Sequence, residues 1–329
     1  MDTIIVGLGS MGCRRARLIK KMDESINIIG IDSNQERREK AEAELGIVTE
    51  DSIGKACEKY ECEAAIISTS PLSHSSIINE CLKNNLHVFT ELNLVDDGYD
   101  ENIELAARMK KVLFLSSTFM YRKEVEYIKG EALKHSKPIS YIYHVGQYLP
   151  DWHPWEDVND FYVSNPSTGG AREIVPYELT WITDLFGFPE EIKGYYRKTG
   201  EVGCEIDDSY TSCLDYKDMI GTLLVDVISR YPARNLIINC QNGQIQWKWD
   251  NNRIEIYNAK DGKTSYVDQA EQSHEAGYSS MIGEEMYIEE IDKFLKGTKD
   301  PACYPNTLDK DVKVLELLYA IEESDKSHC

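Results

Sequence analysis

A glycine-rich turn lies directly after the first apolar run of the chain. Residues 3–6 form a short strand-like run, and the six residues that follow it are Gly7, Leu8, Gly9, Ser10, Met11 and Gly12. In a strand–turn–helix unit this glycine spacing permits a tight turn, lets the backbone approach a pyrophosphate, and packs the helix against the sheet. The amides at the helix start then face the phosphates. The turn therefore predicts a dinucleotide-binding unit and restricts this part of the chain to a parallel α/β sheet.

The first third of the chain alternates between short apolar runs and longer amphipathic segments. The apolar runs lie at residues 3–6, 27–31, 64–68, 87–90 and 112–115. Strands that alternate with helices are typical of a sheet whose neighbouring strands are parallel. The pattern predicts an α/β fold with a Rossmann doubly wound parallel sheet over residues 1–120.

Beyond residue 121 the pattern changes to longer β-prone runs. These runs lie at residues 139–147, 209–214, 222–230, 235–240, 244–249 and 253–257. Consecutive strand patterns joined by short Gly/Asn turns favour an antiparallel arrangement. Helix-like segments at 171–185, 283–295 and 308–324 accompany them. We therefore predict a C-terminal α+β domain over residues 121–329 with an open, mainly antiparallel sheet.

An acidic residue ends the second apolar run. Asp32 follows the glycine-rich turn by about 20 residues, where a carboxylate accepts hydrogen bonds from the adenosine ribose hydroxyls and repels a 2′-phosphate. The sequence thus favours NAD over NADP, with Ser33 and Arg37 as further residues near the ribose. Arg37 and Arg38 keep NADP as an alternative. Asp32 also fits the N-cap of the next helix, a role compatible with ribose binding.

Charge and cysteine content exclude several classes of partner. The formal net charge of -21 repels nucleic acid and anionic membranes. The nine cysteines are scattered without a Cys-x-x-Cys pair, as is typical of a reducing cytoplasm. No stretch reaches the roughly 18 apolar residues of a membrane helix, and no Cys or His spacing predicts a metal site. We expect a soluble cytoplasmic protein whose partner is a small molecule.

Four further segments contain short motifs besides the glycine-rich turn. A Thr-Ser-Pro segment with a histidine follows the run at 64–68, and a glutamate ends a His-Val-Phe-Thr-Glu segment that begins at residue 87. Gly169 and Gly170 precede a helix-length segment, and Tyr-Ile-Glu-Glu at 287–290 precedes another. Together with the turn, these segments resemble the glucose-fructose oxidoreductase, inositol dehydrogenase and MocA family (Gfo/Idh/MocA) over nearly the whole chain.

The resemblance implies the domain layout, the cofactor contacts and the kind of substrate. It implies that the Rossmann domain holds NAD(P) and that the second domain covers the nicotinamide, binds substrate and often mediates oligomers. Members of the family mostly oxidise or reduce secondary alcohols of sugars, inositols and nucleotide sugars. A carbohydrate substrate and a homodimer or homotetramer are therefore expected. The cofactor residues implied outside the turn and its ribose-binding carboxylate are Thr69, Ser70, Pro71, His74 and Glu91.

The chain departs from the family at positions that usually handle protons. The family's Glu-Lys-Pro segment places a lysine beside the nicotinamide, whereas here Glu91 is followed by Leu92 and Asn93. In the segment after the two glycines, Tyr177 or Glu178 stands where the family has a histidine, and the usual aspartate is absent. Leucine exchanges no proton. The sequence therefore predicts an atypical member of the family.

Three residues are candidate proton carriers, since oxidation of an alcohol needs a group that takes the hydroxyl proton. Tyr177 serves if a nearby cation favours its ionised form, and Glu178 serves if burial raises its pKa. His153 lies in an aromatic loop at residues 149–157 whose rings suit stacking on a sugar. Each also fits a structural role, as a packed ring, a first-turn carboxylate or a hydrogen-bonded histidine.

Two hypotheses remain at this point. The first is an enzyme, an NAD-dependent oxidoreductase that acts on a secondary alcohol of a sugar, sugar phosphate or nucleotide sugar with a non-standard proton carrier. The second is an NAD-binding relative without net redox turnover. Such a relative is a sensor, a partner subunit, or a lyase, epimerase or glycosidase that recycles its NAD.

Overall fold

The computed structural model describes residues 2–135, 137–152, 157–160, 162–251, 253–268, 283–300, 304 and 306–326. Contacts divide the chain into two compact units. The first unit comprises Met1–Thr118 and Glu285–Lys313, and the second comprises Phe119–Glu284 and Val314–Cys329. A C-terminal segment thus returns to the first unit, which no sequence pattern indicated.

The first unit is built on six strands that alternate with helices. Its strands are β1 (Asp2–Val6), β2 (Asn27–Ile31), β3 (Val48–Glu50), β4 (Cys62–Ile67), β5 (His87–Thr90) and β6 (Leu113–Leu115). The helices between them are α1 (Ser10–Met22), α2 (Gln35–Leu45), α3 (Ile53–Lys59), α4 (His74–Lys83) and α5 (Tyr99–Met109). The strand order is β3-β2-β1-β4-β5-β6 and every pairing is parallel. The predicted Rossmann doubly wound sheet is confirmed.

The apolar runs form these strands because helices cover the sheet and leave its core strands no solvent-facing side. Ile4, Ile5, Ile66 and Ile67 are all fully buried. Such strands are continuous apolar runs and lack the alternation of a half-exposed sheet. The strand order reverses between β1 and β4, so the carboxyl ends of these two strands flank the crevice where ligands bind in sheets of this type.

The second unit contains an eight-stranded sheet. Its strands are β7 (Pro138–Tyr148), β8 (Glu191–Arg197), β9 (Ser209–Asp215), β10 (Ile220–Asp226), β11 (Ile228–Cys240), β12 (Gly243–Lys248), β13 (Arg253–Asn258) and β14 (Lys263–Asp268). The remaining helices of the chain are α6 (Lys123–Gly130), α7 (Ala171–Phe186), α8 (Glu285–Gly297) and α9 (Leu308–Lys326). The strand order is β14-β13-β12-β11-β7-β10-β9-β8, and all pairings are antiparallel except that of β7 with β10. The predicted open, mainly antiparallel sheet is confirmed.

Helix α7 covers one face of this sheet. Tyr141 stacks on Phe186 at 4.5 Å between ring centroids, and Tyr143 meets Trp181 edge-on at 5.1 Å. Residues of β7 alternate between this face and the opposite one, since Ile142 is 52% exposed between two buried tyrosines. One face of the sheet therefore forms the core of the second unit, and the other is open. Among the described residues, no helix combines the length and apolar character needed to cross a membrane.

Candidate functional site

The glycine-rich turn adopts the geometry that a pyrophosphate requires. Gly7 has φ +93°, and a Cβ there would lie 2.5 Å from the Ser68 carbonyl oxygen, so the ends of β1 and β4 approach closely. A Cβ on Gly12 would lie 1.8 Å from the Gly7 carbonyl oxygen, which lets α1 start against the turn. A Cβ on Gly9 would meet no atom within 4 Å. Because α1 begins at Ser10, its first amides lack intrahelical partners beside this open side.

Asp32 lies beside the turn at the end of β2. Its Oδ2 accepts a hydrogen bond from Leu8 N at 2.9 Å, and its Oδ1 accepts one from Asn34 N at 2.8 Å. Each carboxylate oxygen keeps a second lone pair for a ribose hydroxyl. The N-cap of α2 is Asn34, whose side chain accepts from two amides, so Asp32 does not have that role. Ser33 lies in an open groove over the start of α2.

Two arginines on α2 differ in their availability. Arg38 donates from Nη1 to the Asp32 carbonyl oxygen at 2.6 Å and so is tied to the backbone. The Arg37 guanidinium lies 3.8 Å from Asp32 Oδ2 and is 59% exposed. Arg37 is therefore exposed enough to contact a 2′-phosphate on the adenosine ribose. The Asp32 carboxylate beside it would repel that phosphate.

The predicted Thr-Ser-Pro-His segment packs at the end of β4. His74 is buried, with Nε2 2.9 Å from the Thr69 carbonyl oxygen and Nδ1 2.8 Å from the Asn93 side chain. Burial lowers the pKa of His74, so the ring is neutral at pH 7. Pro71 starts a single turn of 3₁₀ helix, and Ser70 before it is exposed. The histidine fixes the loop between β4 and α4 at the ligand-binding edge of the sheet.

Glu91 joins a buried ionic cluster at the end of β5. Arg15 Nε donates to Glu91 Oε1 at 2.7 Å, and Arg15 Nη2 lies 2.7 Å from Glu290 Oε2 on α8. Burial lowers the pKa of Arg15, but the two carboxylates outweigh this effect and hold the pKa above its ordinary value. Burial raises the pKa of Glu290 to about 7. Neither Arg15 nor Glu290 was predicted from the sequence, and Leu92 follows the cluster half-buried.

In the second unit, Glu178 is fully buried on α7, and both of its carboxylate oxygens accept hydrogen bonds. Its Oε2 accepts from the Tyr143 hydroxyl at 2.6 Å and from Trp181 Nε1 at 2.7 Å. Its Oε1 accepts from Arg234 Nη2 at 2.7 Å and Nε at 3.0 Å. Four donors therefore surround this carboxylate in the core between α7 and the sheet.

Tyr177 has the cationic neighbour that its predicted role requires. The Tyr177 ring packs edge-on against Phe119 at 5.7 Å, and the Arg234 guanidinium lies 4.4 Å above the Phe119 ring. The Tyr177 phenol is close enough to interact electrostatically with Arg234. The cation therefore comes from β11, which the fold brings next to Tyr177, and not from a neighbouring turn of the same helix.

Glu173 is a candidate that sequence reasoning missed. It lies four residues before Tyr177 in the first turn of α7, so the two side chains share a helix face. Its Oε1 accepts from the Tyr162 hydroxyl at 2.8 Å, whereas its Oε2 is buried and has no hydrogen-bond partner among the described residues. Burial raises the pKa of Glu173 to about 7. The spacing from Tyr177 was visible in the sequence, but the burial was not.

The third predicted carrier, His153, lies outside the described residues, so it stays a prediction. Its loop is described up to Trp152, whose indole Nε1 is buried and has no hydrogen-bond partner within the described ranges. Among the described residues, no group of three or more His, Cys, Asp and Glu side chains is arranged to hold a metal ion.

The parallel sheet and the glycine-rich turn define the first unit as a Rossmann domain of the kind that binds NAD. Residues 1–116 match the Gfo/Idh/MocA family model, described as "Oxidoreductase family, NAD-binding Rossmann fold". Over these residues the chain is similar to the Gfo/Idh/MocA family, as the sequence motifs predicted. The search of curated protein sequences returned no match.

Solved structures share the fold over nearly the whole chain. An oxidoreductase from Agrobacterium radiobacter, in complex with NAD+, L-tartaric acid and magnesium, has a TM-score of 0.85 at 12% identity and covers 100% of this chain and 97% of its own. Levoglucosan dehydrogenase, in complex with NADH and levoglucosan, has a TM-score of 0.81 at 13% identity, with coverages of 100% and 98%. UDP-N-acetylglucosamine 3-dehydrogenase GnnA from Acidithiobacillus ferrooxidans has a TM-score of 0.76 at 18% identity and covers 98% of each chain. At these identities the likeness establishes the fold.

Proposed function

We propose that the protein is an NAD-dependent oxidoreductase that acts on a secondary alcohol of a sugar, sugar phosphate or nucleotide sugar. Two structures of the same fold, levoglucosan dehydrogenase and UDP-N-acetylglucosamine 3-dehydrogenase, act on sugars by their names. The proposal rests on one observation in this chain. Glu173 and Tyr177 share one face of α7, and a buried arginine accompanies the tyrosine.

The cofactor and the protein have different roles in this reaction. Bound NAD supplies hydride acceptance at nicotinamide C4, while the protein supplies position and proton handling. The alcohol carbon loses its hydrogen as a hydride, and the hydroxyl proton passes to the Glu173 carboxylate, so that a ketone forms. A base is most effective when its pKa lies near the working pH, and Glu173 has a pKa of about 7. Its Oε2 is the oxygen that takes the proton, since no donor in the described part of the chain occupies it.

Tyr177 is the second carrier in this proposal. A guanidinium beside a phenol favours the phenolate, and Arg234 holds that place. Glu178 fixes Arg234 through two hydrogen bonds, and we assign it a positioning role. In this proposal Glu173 and Tyr177 carry the proton, and Glu178 positions Arg234.

The experiment measures NADH fluorescence after the protein is mixed with NAD and a panel of sugars, sugar phosphates and nucleotide sugars. With a substrate found, Glu173→Gln is expected to lower turnover by about 10²- to 10⁴-fold, with NAD affinity unchanged. Wild-type turnover should rise with pH through about 7, because the base must lose its proton, and the rise should vanish in the variant. Tyr177→Phe and His153→Ala test the other carriers. The exposed Glu191→Gln and Tyr257→Phe are matched controls.

Normal turnover and an unchanged pH profile in Glu173→Gln would remove Glu173 from the mechanism. Loss of turnover in Tyr177→Phe or His153→Ala alone would then assign the proton to that residue. Equal losses in the exposed controls would show that the variants report stability and not proton transfer.

One observation favours the alternative function without net redox turnover. Leu92 stands where the family places its proton-exchanging lysine, and its half-buried side chain has no proton to give. In that case the protein retains NAD through purification, as mass spectrometry would show, and the whole panel yields no NADH. A substrate consumed without NADH would then indicate a lyase, epimerase or glycosidase that regenerates its cofactor.

We also propose a homodimer or homotetramer that forms through the open face of the second sheet. Ile142 and Ile220 on this face are 52% and 60% exposed. The two neighbours paired with Ile142, Thr222 and Ile237, are uncharged, although the chain as a whole is strongly acidic. Ile220 pairs with Ser140 and with Asp215 at the margin of this area. A charge-poor apolar area on such a protein suits contact with a second copy. The free thiols of the described cysteines support a cytoplasmic location, which cell fractionation would check.

A further inference from the structure

The buried cluster around Arg15 holds more acidic than basic groups. Arg15 and Glu290 are fully buried, and Arg15 contacts both Glu91 and Glu290 at 2.7 Å. Glu290 Oε1 also accepts from Ser117 N, and Ser116 Oγ lies 3.2 Å from Glu290 Oε2. With both carboxyls ionised, one negative charge is in excess. With one carboxyl protonated, the cluster is neutral.

The cluster is connected to the dinucleotide turn by direct contacts within the first unit. Gly7 approaches the Ser68 carbonyl so closely that no side chain fits between them. The Ser68 hydroxyl lies 3.5 Å from Glu91 Oε1, and Glu91 pairs with Arg15. Arg15 also lies three residues after Gly12 on the helix that starts at the turn. The excess charge is therefore held at the ligand-binding edge of the sheet.

Near neutral pH the net charge of the cluster depends on whether Glu290 is protonated. Burial raises the pKa of Glu290 to about 7, so the carboxyl is partly protonated at pH 7. The other charged or titratable groups that face it are Arg15 from α1, Glu91 from the end of β5, and Tyr287 from α8, whose ring in turn contacts Arg14. Burial raises the pKa of Tyr287, so its phenol stays neutral, and the two carboxylates keep Arg15 charged. Glu290 is thus the member of the cluster that titrates near pH 7.

We infer that the Arg15–Glu91–Glu290 cluster is a proton-linked selector between the oxidised and reduced dinucleotide. The oxidised nicotinamide ring is cationic and the reduced ring is neutral, while the rest of the molecule is the same. A negative cluster favours the cationic ring, so binding of the oxidised form and loss of the Glu290 proton assist each other. The inference rests on the NAD-binding domain and not on the proposed sugar chemistry.

The test compares the Kd values of NAD and NADH at pH 6, 7 and 8, measured by isothermal titration calorimetry on the full chain. The ratio of the two affinities cancels the phosphate contribution that both forms share. The preference for NAD is expected to rise by about 3- to 10-fold between pH 6 and pH 8, since one pKa unit corresponds to about tenfold. Glu290→Gln should remove the rise, because glutamine keeps an oxygen for Ser117 N but never ionises.

Asp292→Asn is the matched control, because Asp292 lies on the same helix and pairs with Lys296 at 2.7 Å near the surface. This variant should keep the wild-type rise. Repeating the wild-type titration at pH 7 in buffers of different ionisation enthalpy should show protons released with NAD and none with NADH. That second measurement decides the matter even if Glu290→Gln does not fold. Parallel pH dependences for the two forms, or an unchanged rise in Glu290→Gln, would overturn the inference.

Discussion

Replacing Glu178 by glutamine separates a supporting role from a catalytic one. The carboxylate accepts four hydrogen bonds in the core, two of them from Arg234. In Glu178→Gln the amide nitrogen would face the Tyr143 hydroxyl and the Trp181 indole, which are both donors, and the arginine would lose its counter-ion. Removing one partner of a buried ion pair costs about 3 to 5 kcal/mol. At about 2 to 4 °C per kcal/mol, the variant should unfold about 10 °C below the wild type.

The assay is thermal unfolding followed by circular dichroism, without NAD. Glu191→Gln is the matched control, since this glutamate is exposed and pairs only with exposed Lys193, so its unfolding temperature should change by about 1 °C. Replacing Glu178 and Arg234 together by leucine should recover part of the loss, because no unpaired charge remains. An unchanged unfolding temperature with lost turnover would refute the reasoning and make Glu178 a proton carrier.

Four further variants test the cofactor site and the open sheet. Asp32→Ala should weaken NAD about 10- to 100-fold by removing charge-assisted hydrogen bonds, and should raise relative NADP affinity because Arg37 is freed, as fluorescence titration would show. Gly9→Ala should fold normally but bind NAD poorly, whereas Gly12→Ala should unfold at lower temperature, because only the second Cβ meets protein atoms. Equal behaviour of the two would contradict the turn geometry. Ile142→Glu should convert the oligomer to monomer in sedimentation velocity, and an unchanged mass would exclude this face.

The cofactor half of the molecule was predictable because its determinants are local in sequence. A strand, a glycine-rich turn and a carboxylate one strand later fix the positions of Gly7 and Asp32 almost without tertiary information. The parallel sheet and the resemblance to the Gfo/Idh/MocA family followed from the same segments. Even here, the N-cap of α2 is Asn34 and not Asp32, because both residues lie near the start of the helix and compete for the same amides.

The proposed proton-handling groups were harder to predict because their environment depends on burial and on distant partners. Glu173 looks like an ordinary first-turn glutamate, and only the packed structure raises its pKa. Arg234 reaches Tyr177 from β11, a contact that no helix or strand period indicates. Glu290 lies on a helix that also bears the Asp292–Lys296 pair near the surface, and residue type alone does not separate the buried acid from the outer one.

Because residues 285–313 belong to the first unit, that unit can finish folding only late in synthesis. Ser117 and Glu290 lie 173 positions apart, although they are hydrogen-bonded. Phe294 packs edge-on against Phe89 and Phe114 at 5.6 and 5.9 Å. A ribosome that has made the entire parallel sheet has therefore made a domain with an uncovered aromatic surface. That domain becomes complete only after nearly all of the second unit has emerged, so a fragment cut at residue 118 is an unfinished domain that lacks the Glu290 counter-ion of Arg15.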